Sequence, residues 1–303
     1  MSVQATEHHS HPSNAKEAHA KNSAARLSIF AAAFLIILKT ATAWFTGSIS
    51  VWASLLDSAM DIIASTINFF AVRAASRPPD EDHAYGHGKA ESLAGLLQAA
   101  VIAASSFFLI SEAVRRLLRP HETQLEWLGI ATMFIAATVS VALVAKLRRT
   151  ARDTDSPALS ADAAHYISDV YTNGAAFVAL VITLWTGWRL ADPLISIIIS
   201  LYILWTAFGV ARESVDVLMD RRLPVEIDEK VDTVVRRFRE QGVLGFHDLR
   251  TRRSGSYKFI DLHLEVERHQ SLEDAHALTV RVLRAIEAEI PRTRVQIHTD
   301  PAG

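Results

Sequence analysis

The stretch Ser54-Leu55-Leu56-Asp57-Ser58-Ala59-Met60-Asp61-Ile62-Ile63-Ala64-Ser65 sets two carboxylates inside a run otherwise suited to lipid. The run extends over about 48–73, enough for the ~20 residues with which a helix crosses ~30 Å of hydrocarbon. Backbone groups in lipid must be satisfied internally, so the run reads as a helix. Asp57 and Asp61 are four apart and therefore sit one above the other on one face. Carboxylates at that spacing repel even in water, and each costs ~2.5–3.5 kcal/mol in a membrane interior. A cation held between them is the simplest compensation.

Five further apolar runs, 26–47, 91–118, 125–147, 158–187 and 191–218, are of the same kind, which gives six membrane helices. Gly47-Ser48 and residues 188–192 are tight turns between neighbours. With both termini on one side, that side carries 13 Lys and Arg, and the other carries 4: Arg115, Arg116, Arg119 and Arg189. This bias puts both termini in the cytoplasm. Residues 1–25 are a polar tail with His8, His9, His11 and His19, either simply solvated or a weak metal collector.

The whole chain looks unremarkably balanced: 303 residues, 31 Lys+Arg, 33 Asp+Glu and 50% apolar residues. That composition excludes a disordered chain. The absence of cysteine excludes a disulfide scaffold, a Cys-based zinc finger and a thiol catalyst. A net charge of −2 offers nucleic acid no general attraction. The charges are segregated, however. Roughly a third of residues 221–303 are charged, against about one in six of the first 220. Three domains follow: a tail (1–25), a six-helix transmembrane domain (26–220) and a soluble domain (221–303).

In the soluble part, Ile227, Val231, Val234, Val235 and Phe238 recur at helical spacing over 227–241. Residues 247–253 and 257–267 alternate apolar and polar around Ser254-Gly255-Ser256, which predicts a hairpin. A second amphipathic helix over 272–290 stops at Pro291, and 294–298 is a last short strand. The order α-β-β-α-β predicts a small α+β sandwich.

The fifth membrane run contains a second pair of ionisable groups, His165 and Asp169, again four apart. Asp57 and Asp169 each lie about ten residues from a helix end, hence ~15 Å in, near the midplane. Three carboxylates and one imidazole suit tetrahedral Zn²⁺, and less distinctively Fe²⁺, Mn²⁺, Co²⁺ or Cd²⁺. The bland alternative is a set of helix–helix hydrogen bonds or a salt bridge to Lys39, with Asp162 merely capping its helix. In the loop after the second run, Asp80, His83 and His87 could clamp another ion or simply be solvated. His247, His263, His276, His298 and Asp300 recur in the soluble part, as exposed polar groups or as a cluster.

SLLDSAMDIIAS, HAYGHGKAES, DAAHYISDVYTNG, DRRLP, HDLRTRRSG and the closing HTDP occur in one order over residues 25–301. On these motifs the chain resembles the cation diffusion facilitators, proton-coupled exporters of divalent metals, and most closely their bacterial zinc/ferrous-iron branch. The resemblance implies that Asp57, Asp61, His165 and Asp169 form the transport site, and Asp80, His83 and His87 a loop site. It implies that His247, His263, His276, His298 and Asp300 bind metal in a metallochaperone-like cytoplasmic domain that makes a homodimer. It also implies that Lys89 and Asp220 interlock charges where membrane and cytoplasmic parts meet.

The expectation is a proton-coupled antiporter in the bacterial inner membrane, with metal ions, protons and lipid as partners and no catalytic role. Relatives with His at the Asp57 position are usually more zinc-selective, which leaves selectivity open here. A metal-gated channel or membrane metal sensor is the alternative. An intramembrane metallohydrolase is disfavoured, since HExxH is absent and no acid is left over to serve as base.

Overall fold

A computed structural model describes residues 12–46, 49–118, 127–188 and 190–302; for 12–15, 43, 46, 49–60, 127–130, 176, 180 and 184 it describes backbone alone. His8, His9, His11, the Gly47-Ser48 turn, Arg119 and Arg189 lie outside the described residues. The chain divides into two compact units, Met1–Ser214 and Val215–Gly303.

The first unit is helical: α1 (Pro12–Thr46), α2 (Ile49–Ala75), α3 (Lys89–Leu118), α4 (Trp127–Thr154), α5 (Pro157–Thr186) and α6 (Ala191–Leu218). Among the described residues, four helices are long and apolar enough to cross a membrane: α1, α3, α4 and α6. The other two, α2 and α5, have 27 and 30 residues and match them in length. α5 owes its polarity to Asp162, His165 and Asp169. Large apolar side chains face outward, as exposed Phe30, Phe45, Phe107, Phe108, Trp185 and Trp205 illustrate. The interior instead uses small residues, Ala24, Ala25, Ala158 and Ala163, around Leu147, Leu159 and Tyr166. Lipid is as apolar as leucine, so membrane helices associate through close packing of small side chains and buried polar contacts.

α1 begins well ahead of the position that hydropathy suggests. Its early turns are held by a buried ion pair: Lys21 Nζ lies 2.8 Å from Glu91 Oε1 at the start of α3. α5 has a defined beginning and end. Ser156 caps it by accepting from the Leu159 N–H, Pro157 follows at the first turn, and Gly187 ends it in a left-handed conformation (φ 67°).

The second unit runs α7 (Val225–Arg236), β1 (Val243–Ser254), β2 (Tyr257–Val266), α8 (Leu272–Glu289) and β3 (Thr293–Pro301). The sheet order is β1-β2-β3. β1 and β2 are antiparallel around Gly255-Ser256, with Ser254 opposite Tyr257. β3 lies parallel to β2, as the intervening helix allows. Ile260, Leu262 and Leu264 point to one face of β2 and pack with Val231, Val234 and Val235 of α7 and Leu278, Val282 and Ile286 of α8.

The first soluble helix is shorter than its apolar spacing suggests. α7 ends at Arg236, and Arg239–Gln241 form a separate 3₁₀ turn closed by Gly242 at φ 104°. Phe238 still packs against the core, so its apolar periodicity continues across a break in the backbone.

Candidate metal centres

The first centre lies between α2 and α5. Asp61 Oδ1 is 2.9 Å from His165 Nε2, and both side chains are buried. Asp169, one turn beyond His165 on α5, brings a carboxylate oxygen within 4.8 Å of the Asp61 and His165 ligand atoms. Helical spacing explains the placement, since residues four apart share a face. Asp57 lies on the same helix as Asp61, but its side chain is outside the described residues. Lys39 has no ion-pair partner among the described residues, so the neighbour of Asp61 is an imidazole and not an ammonium.

Asp162 does not cap α5; Ser156 does. Asp162 lies inside the helix, fully buried, and accepts a hydrogen bond from Ser28 Oγ on α1 at 2.6 Å. One residue past His165, Tyr166 donates to the Ser28 carbonyl oxygen at 3.2 Å and is 3.0 Å from Ser65 Oγ on α2. These bonds tie α5 to both α1 and α2 beside His165. Ser156 further donates to Glu91 Oε2 on α3, so Glu91 answers Lys21 with one oxygen and Ser156 with the other. Sequence reading missed this second buried network. Its one visible signal is an acidic residue in the first turn of α3.

The loop between α2 and α3 forms the second centre. Asp80 Oδ1 accepts from the His83 backbone N–H at 2.7 Å and lies 3.0 Å from His83 Nδ1. Asp80 Oδ2 is 3.2 Å from His87 Nε2. Gly86, at φ 81°, takes the left-handed conformation that turns the chain back. The Gly86 N–H then bonds the His83 carbonyl at 2.8 Å, and the two imidazoles stand 4.4 Å apart. Partial desolvation raises the Asp80 carboxyl, but the His83 N–H and imidazole, with His87, outweigh it and hold the group below the ordinary carboxylate range.

The third centre is on the open face of the sheet. His247 on β1 pairs with His263 on β2, and His263 pairs with His298 on β3, so one histidine from each strand forms a row. Asp300 lies two residues past His298 on the same face. Its Oδ2 is 2.9 Å from His263 Nδ1 and 3.4 Å from His247 Nε2, and its Oδ1 is 3.2 Å from His298 Nε2. The hydrogen bond from His263 is the main cause, with the charges of His298 and His247, of an Asp300 carboxyl below its usual range. A bulge with Asp248 at φ 54° follows His247 and aims that end of β1. His276 is exposed on α8 and outside this ligand group.

Of the two residues expected to interlock charges, Lys89 opens α3 and Asp220 follows α6 at φ 55°, with Arg252 Nη1 3.5 Å from its carboxylate.

Long helices with apolar outer faces that bring carboxylate and imidazole groups together, joined to a sheet domain with a similar set, fit the architecture of a membrane transporter for metal cations. Family models described as the cation efflux transmembrane domain and the cation efflux protein cytoplasmic domain match residues 25–219 and 223–302. The cation-efflux pump FieF of Klebsiella pneumoniae is 42% identical over 272 residues, which are 90% of each chain. FieF of Yersinia pestis (strain Pestoides F) is 43% identical with the same coverage. A solved structure of the zinc form of CzrB is 35% identical, covers 27% of this chain and 92% of its own, and has a TM-score of 0.26. The chain belongs to the cation efflux family, the cation diffusion facilitators. It is an integral membrane transporter that exports metal cations, and not an enzyme.

Proposed function

We propose that this transporter is a proton-coupled antiporter for divalent transition metals, with Zn²⁺ its best-fitting cargo and Fe²⁺, Cd²⁺, Mn²⁺ and Co²⁺ as alternatives. The observation that carries the reading is the Asp61–His165–Asp169 group between α2 and α5, in which Asp61 and His165 are buried and Asp169 is half-buried. Asp57, four residues before Asp61, completes a set of three carboxylates and one imidazole. An oxygen and nitrogen set without sulfur favours borderline divalent ions over Cu(I).

The ligands supply the coupling. Three carboxylates with a neutral imidazole carry −3, and a bound divalent ion leaves −1. Protons arriving from the other side compete for the same oxygens and for His165, release the ion and reset the site. Rocking of α2 and α5 together with their neighbours would expose the site alternately. Asp162, Ser28 and Tyr166 hold the α5 ligands in register with α1 and α2 during that motion.

The remaining ligands fit accessory roles. Asp80, His83 and His87 form a loop site. The His247–His263–His298–Asp300 row forms a cytoplasmic site in a homodimer, in which exposed His276 would serve ions between protomers. Lys89 and Asp220 would pass that state to the membrane part. Both termini lie in the cytoplasm and the membrane is the bacterial inner membrane, with residues 26–220 and 221–303 as the two working domains.

Zinc uptake into inverted vesicles under an imposed pH gradient tests the reading. Uptake is expected to follow the gradient and to be lost in Asp61→Ala and Asp169→Ala. Undiminished transport by those variants would remove the ligand assignment. Flux indifferent to the gradient would make the protein a channel, and absence of flux with intact binding a sensor.

A further inference from the structure

We infer that a cavity at one end of the first unit is a binding site for an acidic phospholipid, with the lipid phosphate held by Arg26, Arg73 and Lys146. The cavity measures about 560 Å³ and is lined from three helices: α1 with His19, Arg26, Leu27 and Phe30, α2 with Arg73 and α4 with Lys146. Arg26 begins the apolar part of α1, Arg73 closes that of α2 and Lys146 that of α4, so the three cations meet at one membrane surface. None of the three has an ion-pair partner among the described residues, and all are exposed. Arg26 lies over the Phe69 ring, 5.9 Å from its centroid, but no carboxylate among the described residues neutralises any of the three. Like charges around one cavity repel each other, and an anion relieves that repulsion.

The wall changes character along α1. His19 and Arg26 are two turns apart on the side of the helix that next presents Leu27 and Phe30, the latter 71% exposed. Over the 11 residues from His19 to Phe30 the helix rises ~16 Å, which spans the passage from headgroup to acyl chain. A free phosphate would use the cations and leave the apolar half unfilled. A phospholipid uses both. Basic pockets between membrane helices recognise anionic headgroups in this way. The site is separate from the three metal centres and does not depend on the transport reading.

The test is lipid binding to the delipidated full-length protein, with phosphatidylglycerol, phosphatidylcholine and inorganic phosphate as probes. Phosphatidylglycerol is expected to bind at least tenfold tighter than phosphatidylcholine. Each neutralised cation should weaken it about fivefold, so Arg26→Gln/Arg73→Gln/Lys146→Gln loses roughly a hundredfold while Arg26→Lys/Arg73→Lys retains most of it. An unchanged thermal midpoint of the triple variant verifies folding. If that variant does not fold, protection of Arg26 and Arg73 in the wild type from an arginine-modifying reagent replaces it; phosphatidylglycerol must protect and phosphatidylcholine must not. Equal binding of the two lipids, or wild-type binding by a folded triple variant, overturns the inference. Displacement of the lipid by millimolar phosphate would leave an anion site and overturn its lipid identity.

Discussion

Asp61 and His165 meet at 2.9 Å across α2 and α5, and each side chain is buried in a part of the protein built for lipid. Each satisfies the other without metal, which keeps the empty arrangement tolerable, and each must release the other to ligate an ion. The same two atoms therefore hold the helices together and, on the proposed reading, would ligate the cargo.

Removing one of these ligands should cost more than the ~10–100-fold in affinity lost when a residue that merely orients a ligand is changed. His165→Ala is expected to weaken zinc binding at the membrane site by at least a hundredfold, measured calorimetrically in a protein that also carries His83→Ala and His263→Ala to silence the other centres. Tyr166→Phe, which loses the bonds to Ser28 and Ser65 but no ligand, should weaken it by a smaller factor.

The Lys21–Glu91 pair gives a prediction about stability. Glu91 is 1% exposed and Lys21 is 7% exposed. Glu91→Ala takes the carboxylate away from a buried ammonium and should destabilise the protein by ~3–5 kcal/mol, whereas Lys21→Met/Glu91→Leu should be close to neutral. Thermal unfolding in detergent distinguishes the two variants.

Gly86 should be sensitive for a conformational reason. An L side chain in the left-handed region costs ~1–2 kcal/mol, and Gly86 sits there at φ 81°. Gly86→Ala is expected to lower the affinity of the Asp80–His83–His87 site about tenfold and leave the sheet site unaffected. Metal titrations of protein with the other two centres removed would detect this.

Asp300 predicts an acid limb. Its folded carboxyl lies below the ordinary value, chiefly through the His263 hydrogen bond. A depressed carboxylate contributes stability that is present above its unfolded value, ~3.9, and lost as pH falls through the folded one. Wild type should thus lose stability more steeply than Asp300→Asn below about pH 5, and the two curves should converge at the acid end. Urea unfolding of the full chain, followed by the strand signal at several pH values, checks the sign.

Zinc should also stabilise the soluble unit through the same residues. At a hundred times the dissociation constant, binding to the folded state alone adds ~2.7 kcal/mol. His263→Ala is expected to abolish that gain, and a chelator to reverse it in the wild type.

Much of this was legible in the chain itself. Hydrophobic runs long enough for a bilayer gave the helices almost to their ends, except that α1 begins at Pro12 rather than near residue 26, because lipid imposes one local solution on the backbone. The i, i+4 spacing of Asp57 with Asp61 and of His165 with Asp169 put each pair on one face, because that depends on helical pitch alone. Ser254-Gly255-Ser256 announced its hairpin. The break after Arg236 was hidden, since Phe238 keeps the apolar spacing of a helix that has already ended.

What no local pattern contained was which faces meet. The contact of Asp61 with His165 spans 104 residues, and that of Lys21 with Glu91 spans 70. The row of His247, His263 and His298 depends on the register of two strand pairings, one antiparallel and one parallel. Asp162, which by position resembles a helix cap, became a buried partner of Ser28 only when α1 packed against α5. Sequence alone determined the helices, the hairpin and which ionisable side chains share a face, because these follow from solvent, pitch and side-chain chemistry. Tertiary structure decided the pairings, because each arises from the packing of distant elements whose individual propensities do not distinguish one partner from another.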